Sequence, residues 1–394
     1  MRIAISGAGV AGPALAHWLL RAGHQPTLIE QASSFRVGGY MIDFWGCGYT
    51  VAERMGVLQQ VLEAGYAIES VRFVDRRGRA AGGFSTRILR TMMAGEFTSL
   101  PRGDLAAAVY RTIEGRVETL FDTSIAAIDD RGDSVGVGFA RGPEREFDLV
   151  IGADGQHSAV RGLVFGPESR FERPLGYFVA AFDVEGYRPR DERAYVSYGV
   201  PGRQVTRIAV RGERTMFLFV FSAAHLTGPE PRNLDERKAV LHRLFDGVGW
   251  ECPRILRALD DVRELYFDRV SQIVMDRWSK GRVALVGDAA ACVSLLAGEG
   301  TGLAMTEAYI LAGELGRARG GHREAFRNYE QRLRPLIEDK QRSARNFAAA
   351  FVPKSAFGLW ARNRATRLMV IPIIAKLLMG GDLRDDIELP DYPM

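Results

Sequence analysis

Residues 3–30 read IAISGAGVAGPALAHWLLRAGHQPTLIE, and the order of residue types in this stretch decides the fold. Ile3, Ala4 and Ile5 form a short apolar run expected to be a buried strand. Gly7, Gly9 and Gly12 follow in G-x-G-x-x-G spacing. Gly7 permits the tight turn, Gly9 lets a phosphate approach the backbone, and Gly12 brings the next helix close against the strand. Pro13 falls near the helix start, where a missing N–H costs little. The helix is predicted to run to about Ala22, with Ala14, Leu15, Trp18 and Leu19 as its apolar stripe and Gly23 as its C-cap. A second strand, Thr27 to Ile29, ends at Glu30. That carboxylate is placed to accept hydrogen bonds from ribose hydroxyls and to repel a 2′-phosphate, which disfavours NADP in this pocket. The pyrophosphate belongs at the helix N-terminus, where free N–H groups and the dipole favour an anion.

A second motif lies nearly a chain length away: residues 282–302, RVALVGDAAACVSLLAGEGTG. An apolar strand leads into Gly287 and Asp288, and a glycine loop at Gly298, Gly300, Thr301 and Gly302 enters the helical sequence LAMTEAYILAGEL. Free N–H groups at that helix start suit the edge of a flavin that becomes negative on reduction. If the first motif grips the adenosine and pyrophosphate and the second the isoalloxazine end, one FAD explains both, and the chain must fold back on itself.

Composition narrows the classes. A chain of 394 residues, 47% hydrophobic and 25% charged, can bury a sizeable core, expected as two interleaved domains. Net charge is +4, and only five of the 52 basic residues are lysine. No basic run with interleaved aromatics appears, which argues against nucleic-acid binding. Cys47, Cys252 and Cys292 are far apart, without CxxC or metal-ligand spacing. No metal site is expected, and a reducing cytoplasm fits best. The N-terminus enters the first strand at once, leaving no room for a signal peptide. The most apolar late stretch, Leu368 to Met379, contains Pro372 and Lys376 and is too short to span a bilayer, so no integral membrane segment is expected.

Between the motifs, residues 51–65 read as one short helix and 70–88 as a hairpin turning at Arg77-Gly78. From about 171 to 272 the pattern changes to alternating, aromatic-rich runs, predicted as a mostly antiparallel sheet with one helix near Leu234 to Phe245. After Trp278 the α/β pattern resumes, and from Thr301 onward the chain is mainly helical. Gly38 to Asp43 is expected to be a loop beside the flavin, with Asp43 either in a turn or assisting a phenolic proton.

Four features now stand in order: GAGVAG with Glu30; Pro101-Arg102-Gly103-Asp104-Leu105; Asp148 to Gly155 with Ser158, Val160 and Arg161; and Gly287-Asp288-Ala289-Ala290 followed by Gly298-Glu299-Gly300. Over about residues 1–345 the chain resembles the class A flavoprotein monooxygenases, the para-hydroxybenzoate hydroxylase-like family, with the closest flavour among small bacterial hydroxylases of aromatic or polyketide compounds. The resemblance implies an α/β protein with a Rossmann-like, glutathione-reductase-type FAD-binding fold, an inserted mostly antiparallel sheet domain for substrate, and a helical C-terminus. The expected division is 1–70, 100–170 and 276–345 for FAD, 71–99 and 171–275 for substrate, and 346–394 as a C-terminal segment. It implies an FAD-dependent monooxygenase that uses NADH or NADPH as a transient reductant. With O2 it would hydroxylate an aromatic or polyketide-like molecule through a flavin C4a-hydroperoxide; monomer and dimer both stay open. By the same likeness Gln31 stands beside the ribose-binding Glu30, Arg36 and Arg102 contact FAD, and the backbone of Ile125 meets the adenine. Asp154 lies near FAD and is associated with NAD(P)H use, and Asp288 accepts from the ribityl hydroxyls. The chain departs from the family pattern at Ala291, where many members have histidine, and at Ser294 and Leu295, where many have prolines. These departures keep open another flavin reaction (Baeyer–Villiger oxygenation, epoxidation or dehydrogenation), and a non-catalytic flavin- or metabolite-binding protein is the further alternative.

Overall fold

The apolar runs that lead into the two glycine motifs become strands of one sheet. A computed structural model describes residues 1–35, 39–294, 298–319, 321–369 and 387–393. Arg36, Leu295 and most of the Leu368–Met379 stretch therefore lie outside the described residues. The strands, in chain order, are β1 (Arg2–Ser6), β2 (Gln25–Ile29), β3 (Met41–Trp45), β4 (Ser70–Val74), β5 (Ala80–Ser85) and β6 (Phe97–Pro101). Next come β7 (Glu118–Leu120), β8 (Ile125–Asp130), β9 (Val135–Phe139), β10 (Arg145–Phe147), β11 (Leu149–Gly152) and β12 (Glu172–Glu185). The last six are β13 (Ala194–Val200), β14 (Arg203–Val210), β15 (Arg214–Ser222), β16 (Tyr266–Ile273), β17 (Ser279–Lys280) and β18 (Val283–Leu285).

One six-stranded sheet runs β17-β18-β11-β1-β2-β7, parallel except for the β17–β18 edge pair. The strand of the first motif thus sits one strand away from that of the second, with β11 between them. β1, β11 and β18 read as continuous apolar runs because helices cover both faces of a parallel sheet. The helices, in chain order, are α1 (Ala11–Arg21), α2 (Gly46–Arg54), α3 (Leu58–Ala64), α4 (Arg87–Met92), α5 (Arg102–Arg111) and α6 (Ala159–Val164). They continue with α7 (Leu234–Phe245), α8 (Cys252–Asp260), α9 (Asp288–Ala291), α10 (Gly300–Arg317), α11 (His322–Phe351) and α12 (Ala356–Leu368).

The aromatic-rich middle forms a seven-stranded sheet, β16-β12-β15-β14-β13-β4-β5, antiparallel apart from the β13–β4 pair. Alternation settles its faces. Phe178, Phe182, Phe219 and Phe221 pack with Leu241, Phe245, Leu256 and Leu259 of α7 and α8. Ile208, Val210 and Met216 instead meet Tyr40, Met41, Tyr66 and Tyr195, at the two-stranded β3–β6 pair.

The structure differs from the sequence reading in four places. The helix expected over 51–65 is two, α2 and α3, because Gly56 takes φ +73° and ends the first. Met41 to Asp43 is not loop but the start of β3, paired antiparallel with β6. α8 was not expected. Residues 387–393 follow the helical segment as irregular chain that docks back on α2 and α10: Tyr392 is buried, donates to Glu314 (2.7 Å), and lies against Gly313, where a Cβ would find no room.

The start of α10 is fixed by contact with α2. A Cβ on Gly48 would lie 2.3 Å from the Gly302 Cα, so the two helices meet backbone to backbone. Gly48→Ala is expected to cost about 1–3 kcal/mol by overpacking and to weaken flavin retention by displacing the Gly300–Gly302 turn. Urea unfolding and the flavin absorbance of the purified protein check both effects.

Candidate FAD site

The glycines of the first motif are spent as their spacing predicts. Gly7 has φ +102°, and a Cβ there would lie 2.5 Å from the Ala153 carbonyl oxygen; one on Gly12 would lie 1.9 Å from the Gly7 carbonyl oxygen. Gly9 is different: the nearest atom to its missing Cβ is Nη2 of Arg102, 3.7 Å away. The glycine turn and Arg102 thus face each other without filling the gap. Glu30 holds the turn in shape, its two oxygens accepting from the backbone N–H groups of Ala8 and Ala32 at 2.9 Å each. Gln31 beside it is exposed, and Ile125 is buried at the start of β8.

The second motif comes to the same place. Gly287 (φ +64°) is so close to Ala11 of α1 and Ala304 of α10 that a Cβ would lie 3.2 and 3.3 Å from theirs. Asp288 opens α9 in a half-buried setting. Burial raises its pKa, opposed by the nearby Arg102 guanidinium and by the Cys292 thiol that hydrogen-bonds to it. Its Oδ1 lies 3.6 Å from where a Cβ on Gly300 would stand. Arg102 therefore lies between the two motifs, near Gly9 on one side and Asp288 on the other.

These residues fit FAD. Neither α1 nor α10 has a side-chain cap or an acidic residue in its first turn, so both present free N–H groups suited to anionic oxygens. The hydroxyl of Thr301 and the amide nitrogen of Gln156 are buried with no hydrogen-bond partner among the described residues. Buried polar atoms of this kind call for a ligand or water. Gly298 (φ +73°) turns the loop toward Trp45.

Asp154 has a structural task. Its carboxylate accepts from Ser158 Oγ (2.5 Å), Ser6 Oγ (3.3 Å) and the Val160 N–H (3.1 Å), tying β1 to the loop before α6. Arg161, wholly buried, donates to Gln156 O, Ala289 O and Glu168, and so braces the same loop against α9. His157 spans from this loop to the seven-stranded sheet, with Nδ1 2.9 Å from Glu168 and Nε2 3.2 Å from Asp268. The hydrogen bond to Asp268, aided by Glu168 and opposed by burial, pushes its pKa up to about 9. His157 also lines a cleft of about 280 Å³ with Phe178, Arg237, Phe267, Asp268 and Arg269.

Asp43, expected in a loop, is instead half-buried in β3 and accepts from Ser99 at 2.5 Å; desolvation raises its pKa. Tyr195 of β13 hydrogen-bonds to the same serine, so one polar chain joins the β3–β6 pair to the seven-stranded sheet. Sequence reasoning also missed Glu307, an acid inside the otherwise apolar start of α10; that isolation was the available signal. Glu307 Oε2 accepts from the Gly287 N–H (2.6 Å) and the Tyr329 hydroxyl (3.1 Å), fixing the second motif to α10. Ala291 and Ser294 are buried behind the site. Among the described residues no cluster of His, Cys, Asp or Glu could hold a metal.

Comparison with known proteins gives the same assignment. A family model described as FAD binding domain matches residues 1–343, so the chain belongs to that family. An uncharacterized protein of Mycobacterium tuberculosis is 40% identical over 343 residues, covering 86% of this chain and 91% of its own. A flavin-dependent monooxygenase of Legionella longbeachae is 35% identical over 399 residues, covering 100% of this chain and 98% of its own. The crystal structure of tetracycline destructase Tet(55) superposes with TM-score 0.84 at 32% identity, covering 99% of this chain and 98% of that one. The protein is an FAD-dependent monooxygenase that uses NAD(P)H and O2.

Burial raises the Glu307 pKa from 4.5 to about 8. Because the folded state prefers the neutral acid, this group's contribution is complete below pH 4.5 and is lost as pH rises to about 8. Glu307→Gln is expected to remove that decline, whose slope approaches about 1.4 kcal/mol per pH unit. Urea unfolding of both proteins across the window checks it.

Proposed function

We propose that this enzyme hydroxylates a flat aromatic or polyketide-like molecule held between the seven-stranded sheet and the flavin. The observation that carries the reading is the position of Arg102 between Gly9 and Asp288, which makes one elongated site of two distant motifs. In this reading Gly7, Gly9, Ala11 and Gly12 receive the pyrophosphate, Glu30 with Gln31 the adenosine ribose, and Ile125 the adenine. Arg102 and Arg36 neutralise phosphate charge, Asp288 accepts from the ribityl hydroxyls, and Gly298, Gly300, Thr301 and Gly302 face the pyrimidine edge of the ring. The chemistry that FAD supplies when bound is reduction by NAD(P)H and activation of dioxygen.

The chain's own residues do the rest. Tyr40, Met41, Tyr195, Ile208 and Met216 give the apolar surface that would hold a ring and exclude water. Asp43, linked through Ser99 to Tyr195, is the acceptor assigned to a phenolic proton of the substrate. The cleft beside His157 sets Arg237, and Arg269 paired with Glu230, beside the rings of Phe178 and Phe267, which suits the flat bases of NAD(P)H with Arg237 for its phosphates. Asp154 keeps that wall of the site in place. The likeness to a tetracycline destructase supports a fused-ring substrate. We assign 1–70, 100–170 and 276–345 to the flavin unit, 71–99 and 171–275 to the substrate unit and 346–394 to the C-terminal segment. Three buried cysteines, none in a disulfide, favour a cytoplasmic location.

With a panel of phenols and polyketides, the matching compound is expected to accelerate NAD(P)H oxidation and to gain one oxygen by mass. Loss of two hydrogens would instead assign dehydrogenation, and no stimulation across the panel would refute turnover of this class. Asp288→Ala is expected to weaken FAD binding roughly 10–100-fold, as for loss of hydrogen bonds to a charged group. Flavin titration of the apoprotein measures it.

A further inference from the structure

Helix α12 is built inside out. The side it turns to the protein is largely polar: Arg362 donates to Gln204 Oε1 (2.6 Å) and to the Phe351 carbonyl (2.9 Å), and Thr366 Oγ1 accepts from the Gly83 N–H (3.1 Å). Asn363 backs onto Gly82, and Leu359 onto Gly199. The opposite side carries the apolar residues. Phe357 is 75% exposed, Trp360 56% and Leu368 52%, the three most exposed large apolar side chains among the described residues. Phe357 and Trp360 stack at 5.7 Å, and Arg364 lies 5.8 Å from the Trp360 ring centre. Positions 357, 360, 364 and 368 follow the spacing of one helix face, so this is a continuous stripe. Contiguous exposed apolar surface of this kind marks an interaction site.

Charge indicates what covers it. Along α12, from Ala356 to Leu368, the sequence holds Arg362, Arg364 and Arg367 and no Asp or Glu. Arg364 and Arg367 stand exposed beside the stripe. Pairing with a second copy about a two-fold axis would set these arginines against their own counterparts, with no acid on the helix to answer them. An aromatic stripe edged by arginines and free of acids is the composition of a helix lying in a membrane interface, where rings enter the headgroup region and cations meet anionic lipid. No described helix is long and apolar enough to cross a membrane, so the contact would be peripheral.

We propose that the outer face of α12 docks this enzyme reversibly on anionic lipid surfaces. The test is flotation of the flavin-loaded full-length protein with phosphatidylcholine vesicles, with and without phosphatidylserine. Wild type is expected to float with the phosphatidylserine vesicles at low salt and to be released by raised salt. Arg364→Gln and Arg367→Gln should each weaken binding roughly fivefold. The double variant Phe357→Ser, Trp360→Ser should stay in solution while keeping its flavin absorbance and substrate-stimulated NAD(P)H oxidation, since neither side chain faces the protein core. Wild type that floats with neither vesicle, or equally with both, overturns the proposal. So does a wild-type dimer that this double variant splits into monomers without any vesicle binding, which would make the stripe a self-association surface.

Discussion

The close approach around Gly287 is the constraint on which the rest of the site depends. At this one residue the second motif touches the first turn of α1 and the first turns of α10 together. A side chain would press on both helices, and its positive φ would strain any residue but glycine. The contact brings two uncapped helix starts, separated by almost the whole chain, to the same ligand. It is possible because β18 joins β11 and β11 joins β1 in a single parallel sheet. Ligands in such folds gather at the carboxyl ends of the strands, which is where both glycine motifs begin.

Around that contact the protein arranges charge so that anions are welcome and its own acids are restrained. Arg102 is the cation between the motifs. Desolvation pushes half-buried Asp288 and buried Glu307 toward the neutral form. Glu299, at the start of α10, is paired with Lys340 of α11 at 2.9 Å. The acids that would repel an anionic ligand are thus shifted, paired or spent on backbone N–H groups, and the helix N-termini keep their positive potential.

Much of this was legible in the sequence because local chemistry and global position agreed. The glycines of the G-x-G-x-x-G spacing and Gly287 name backbone needs, and Gly7, Gly12 and Gly287 meet them in close approaches that leave no room for a side chain. The strands of the seven-stranded sheet were readable from alternation, and α7 from its periodicity. What escaped was set by tertiary contact. Asp43 looked like a loop residue beside glycines, yet pairing with β6 makes it a strand residue whose carboxylate finds Ser99. The break at Gly56 was hidden because Met55 and Leu58 continue the helical apolar spacing. α8 was hidden by Pro253 in its first turn. That Asp154 also ties to Ser6 of β1 depends on a partner far away in sequence. The docking of Tyr392 on Gly313 leaves no local signature.

The most direct test of the central claim is a crystal structure of the flavin-loaded protein. It should show one FAD with its pyrophosphate at the start of α1 beside Arg102 and its ribityl chain at Asp288, the ring edge facing the start of α10. An adenine nucleotide without a tricyclic ring at the first motif, or a flavin that leaves Asp288 and the start of α10 untouched, would contradict it.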